Sequence, residues 1–170
     1  MVPLPNETVL STLAEMSIAV VGFSMVVGIL RPHSDSDERR LFTLRGVAGI
    51  GLLAAVMSAF PLVAHSYGLS TDSTWRLSSG IVAAWAIAAI ATDFRRLGRG
   101  LPVIANQHRF TSGLVSALVS VNLCLLAVNI ANPGPASGAR YSTVMLLALA
   151  QAGFMFIWAA FDMGRGRPDA

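Results

Sequence analysis

Apolar residues in this chain run in five long blocks rather than in short alternating patterns: 8–30, 46–66, 77–93, 111–131 and 142–161. A hydrocarbon layer of about 30 Å is crossed by roughly 20 helical residues rising about 1.5 Å each, and every block meets or approaches that length with very few charges inside it. The pattern predicts an all-α integral membrane bundle of five transmembrane helices, a single domain over 1–170, with no stretch left for a soluble domain. The punctuation between blocks agrees. Asn132-Pro133-Gly134-Pro135 cannot continue a helix, so it closes the fourth block as a turn. Ser70-Thr71-Asp72-Ser73 carries side-chain acceptors suited to capping the helix that follows. Phe60-Pro61 falls inside the second block, where Pro61 removes one backbone donor and predicts a kink.

Blocks two to five also resemble one another in pairs. Gly51-Leu52-Leu53-Ala54-Ala55-Val56 aligns with Gly113-Leu114-Val115-Ser116-Ala117-Leu118, which brings two helical hairpins into register. Trp75-Arg76-Leu77-Ser78 opens the returning helix of the first hairpin and Arg140-Tyr141-Ser142 that of the second. Asp93-Phe94-Arg95-Arg96 closes one, and Phe161-Asp162 ahead of Arg165 closes the other. The expected architecture is one leading helix plus two similar helical hairpins, an arrangement known among transporters with sites at the repeat interface. A shared Ala/Leu/Val composition accounts for the same likeness, and spacing alone does not separate the two explanations.

Composition fits the membrane reading, with 54% hydrophobic and 12% charged residues against about 25% charged in soluble domains. The basic side chains are all Arg, and their placement gives an orientation. Four (Arg31, Arg39, Arg40, Arg45) follow the first block, four (Arg95, Arg96, Arg99, Arg109) the third and two (Arg165, Arg167) the fifth, leaving only Arg76 and Arg140 for the opposite side. The positive-inside rule then puts the amino terminus outside and the carboxyl terminus in the cytoplasm. Spread over membrane-edge segments without aromatic interleaving, these arginines do not make a nucleic-acid surface. Arg39, Arg40, Arg95, Arg96 and Arg99 are expected to contact lipid headgroups. Residues 1–7 lack the basic start of a signal peptide and no small-residue cleavage site follows the first block, so that block is expected to remain in the mature protein. Tyr67, Trp75 and Tyr141 fall at the expected outer edge, where aromatic belts sit. The single cysteine, Cys124, excludes an intrachain disulfide and reads as a packing residue.

Polar residues inside the blocks are the candidates for function. Glu15 lies about 10 Å of helical rise inside the first block, on one face with Thr8, Ser11, Thr12 and Gly22. A charge at the centre of a bilayer costs about 2.5–3.5 kcal/mol on insertion scales, so this acid is either an ion or proton site in a wet vestibule or a hydrogen-bonded residue that fixes packing. Asn122 and Asn129 share a face of the fourth block, and Gln151 shares one with Trp158 on the fifth. Asn122 and Gln151 both fall near the midplane, which makes an interhelical hydrogen bond between them reasonable. Small residues recur four apart at Ser24 and Gly28, Gly51 and Ala55, Ala54 and Ser58, and Ser112, Ser116 and Ser120, a spacing that lets backbones approach closely.

Catalytic chemistry is poorly supported. Gly22-Phe23-Ser24-Met25-Val26 lacks the closing glycine of a nucleophile elbow. His33 and His108 fall on the cytoplasmic side and His65 on the other, without metal-site spacing, and Asp93 and Asp162 stand beside arginines that suit plain ion pairs. No enzyme activity, cofactor or metal is expected. Gly22-Phe23-Ser24 behind Ala14-Glu15, together with Trp75-Arg76-Leu77-Ser78-Ser79, resembles a group of small uncharacterised bacterial multi-pass inner-membrane proteins. That resemblance implies a bacterial inner membrane and carries no activity with it. The expected function is a non-enzymatic accessory or assembly subunit, or a homo-oligomer, surrounded by lipid and other membrane proteins. The alternative is a small ion or proton channel or transporter using Glu15 and the polar faces of the fourth and fifth helices.

Overall fold

The computed structural model describes residues 4, 6–29, 38–98 and 109–162, with side-chain surroundings for all of these except 28, 29, 38–45, 93, 96–98, 109–112 and 158–162. They form five helices: α1 (Glu7–Ile29), α2 (Glu38–Ser66), α3 (Thr71–Gly98), α4 (Arg109–Ala131) and α5 (Ser137–Asp162). Each contains a stretch long and apolar enough to cross a membrane, namely Glu7–Val27, Gly46–Ser66, Thr71–Thr92, Gly113–Ala131 and Ser137–Ile157.

Helix number and order follow the apolar blocks, whereas several ends do not. α2 begins at Glu38 rather than at 46, α3 at Thr71 rather than 77, and α5 at Ser137 rather than 142. In the last two the extra turns are polar because they carry caps. The Ser70 hydroxyl accepts the Ser73 N–H at 3.3 Å at the start of α3, and the Ser137 hydroxyl accepts the Gly134 N–H at 2.9 Å ahead of α5. α2 ends where Gly68 takes a positive φ of 89° and its N–H reaches the His65 carbonyl at 2.9 Å. That left-handed conformation carries no steric penalty only for glycine.

Packing makes α5 the central helix, in contact with all four others. α1 lies against α2 and α5 and, among the described residues, reaches neither α3 nor α4; α3 pairs with α4, and α2 touches α3 but not α4. The main core joins Leu10 and Leu13 of α1, Trp75 and Val82 of α3, Leu126 of α4, and Tyr141, Val144, Met145 and Leu149 of α5. Small residues let α1 and α2 close up. Gly51, Ala54, Ala55 and Ser58 are buried on α2, and a Cβ added at Gly51 would stand 2.8 Å from Val21 Cγ2 and 3.4 Å from the Ser17 carbonyl oxygen. Ser24 is buried too, while Ser116 and Ser120 of α4 are exposed, so only part of the small-residue pattern serves packing within the chain.

The distribution of polarity is the reverse of that in a water-soluble bundle. Ile18, Phe23, Val56, Ile87, Phe94 and Ile157 are all more than half exposed, while Ser17, Ser58, Thr74, Ser78, Ser79 and Asn129 are shut inside. Tyr67 is on the outside at 82% exposure, in keeping with an edge aromatic, but Trp75 and Tyr141 are at 1% and 0%. These two are core residues rather than belt residues. Their rings lie 5.6 Å apart at a tilt of 46°, so the bulk that fitted them for an interface is used to fill the bundle.

Candidate functional site

Pro61 of α2 organises the polar interior. It has no N–H, so the carbonyl of Met57, four residues earlier, loses its helical donor. The Tyr141 hydroxyl donates to that carbonyl at 2.7 Å. In a setting without water an unmet carbonyl costs several kcal/mol, so a phenol from another helix completes what the proline leaves open. Tyr141 is placed for this by Trp75, against whose ring it rests.

On the neighbouring side of the bundle, Asn129 of α4 ties three elements together. Its Nδ2 donates to the Ser137 carbonyl at 3.0 Å and to the Ser79 hydroxyl at 3.4 Å, so α4 is joined to α3 and to the first residue of α5. The Asn129 Oδ1 is buried and without a partner, as are Ser58 Oγ, Thr74 Oγ1, Asn122 Oδ1 and Ser142 Oγ. Among the described residues these five buried polar atoms lie on four helices, and each costs about 1–3 kcal/mol unless it finds a hydrogen-bond partner.

The residues singled out from the sequence do not gather into one site. Asn129 is fully buried and bonded as just described. Asn122 and Gln151 are half-buried, and because the Asn122 Oδ1 has no partner, a hydrogen bond from Gln151 to that oxygen is not formed. The interhelical bond belongs instead to Asn129, one pair of turns nearer the α4–α5 connection, with a serine and a backbone carbonyl as its partners. Glu15 is exposed, and among the described residues it forms no hydrogen bond or ion pair. Its companions Thr8, Thr12 and Gly22 are exposed with it, while the Ser11 and Thr12 hydroxyls donate to the Thr8 carbonyl at 3.1 and 2.9 Å. The polar line of α1 therefore faces away from the bundle, and its acid stands apart from Asn122, Asn129 and Gln151.

Of the arginines expected at headgroups, Arg95 is exposed on α3. Arg39, Arg40 and Arg96 lie in helices but their side chains are outside the described set, and Arg99 is outside the described residues altogether, as are His33 and His108. Sequence reasoning missed Tyr141 and Ser79. The signal for Tyr141 was present in Pro61, since a proline inside an apolar helix announces one carbonyl that needs a donor from elsewhere. Among the described residues no cluster of three or more His, Cys, Asp or Glu is placed to hold a metal ion. Compared with models of known families, with curated proteins and with solved structures, the chain has no match.

Proposed function

We propose that the chain is a non-enzymatic, multi-pass inner-membrane protein that serves as an accessory or assembly subunit of a larger membrane complex or as a homo-oligomer. The observation that carries this reading is the outward face of α1. An acid without a partner, near the middle of an apolar helix and turned away from its own bundle, is costly in lipid and is relieved when another membrane protein covers it. The arginine distribution supports an amino terminus outside and a carboxyl terminus inside, with Arg39, Arg40, Arg95, Arg96 and Arg99 at the inner headgroups.

The helix contacts support the repeated hairpin. α2 packs on α5 as α4 packs on α3, and α3 touches α5 while α2 and α4 stay apart. A two-fold relation that exchanges the α2–α3 hairpin with the α4–α5 hairpin generates that set of contacts, with α1 as an addition on one side.

Extraction of the full chain from native membranes in mild detergent, followed by size measurement and identification of co-purifying proteins, tests the assembly reading. The expected result is a particle larger than one chain. A strict monomer that brings no protein with it would remove the reading. A channel or transporter is the second reading, favoured by the unpartnered oxygens of Asn122, Asn129, Ser58, Thr74 and Ser142, which offer acceptors to a permeating ion or to water. Saturable flux through the reconstituted monomer would put it first.

A further inference from the structure

We draw no further inference here: the strongest candidate, the outward face of α4 through Gly113, Ala117, Ser120 and Cys124, is a neutral line of small exposed residues, and nothing in the structure shows what covers it.

Discussion

Tyr141 shows how much one hydroxyl can carry in a chain of this composition. Its bond to the Met57 carbonyl exists because Pro61 withdrew the usual donor, so the three residues form a single energetic unit. Tyr141→Phe keeps the ring against Trp75 and removes only the hydroxyl, and it is expected to lower stability in detergent by about 1–3 kcal/mol. Pro61→Ala returns an N–H to Met57, and in that background the same Tyr141→Phe change should cost less than half as much. A double-mutant cycle from unfolding midpoints measures this coupling. Equal costs in both backgrounds would mean that the hydroxyl stabilises something other than the orphaned carbonyl. Asn129 shows the same economy, one amide serving α3, α4 and α5, although nothing in its spacing from Asn122 pointed to Ser79 or to the Ser137 carbonyl. Depth along a helix can be counted from sequence, but the direction a side chain faces depends on which helices surround it. For that reason Trp75 and Tyr141 read as edge aromatics and are found in the core.

At the scale of the helix, length and apolarity were legible because a crossing segment must satisfy its own backbone. The ends were less so. Residues 71–76 and 137–141 are helical yet polar, since caps and the inward hydroxyls of Thr74 and Ser137 lower their hydropathy without interrupting the backbone. The α1–α2 contact was only half legible. Gly51 and Ala55 have the right spacing for close packing, but so do Ser116 and Ser120, which face outward. Gly51→Ala separates the cases. Its methyl group would stand 2.8 Å from Val21 Cγ2, a stiff β-branched neighbour, and overpacking of this kind typically costs about 1–3 kcal/mol. Thermal unfolding should fall accordingly, and Val21→Ala should restore much of the loss by vacating the space. Gly113→Ala, where a Cβ meets nothing within 4 Å, should be neutral or raise stability by up to about 1 kcal/mol through helix propensity.

Across the whole molecule, ten of the twelve arginines must share one side if the chain threads a membrane five times. A reporter fused after Ala170 is expected to be active only in the cytoplasm, and one inserted between Asn132 and Arg140 only outside. Labelling of the carboxyl terminus from the exterior of intact cells would invert the map. The central position of α5 has a consequence for how such a molecule is made. Synthesis delivers α1 to α4 first, and until α5 emerges they have only the α1–α2, α2–α3 and α3–α4 contacts among them. The Tyr141 bond to Met57, the Asn129 bond to Ser137 and the contact of α2 with α5 all wait for α5. Until then the nascent chain holds two loosely connected helix pairs with an unmet carbonyl inside, and the emergence of α5 is the step that locks them together.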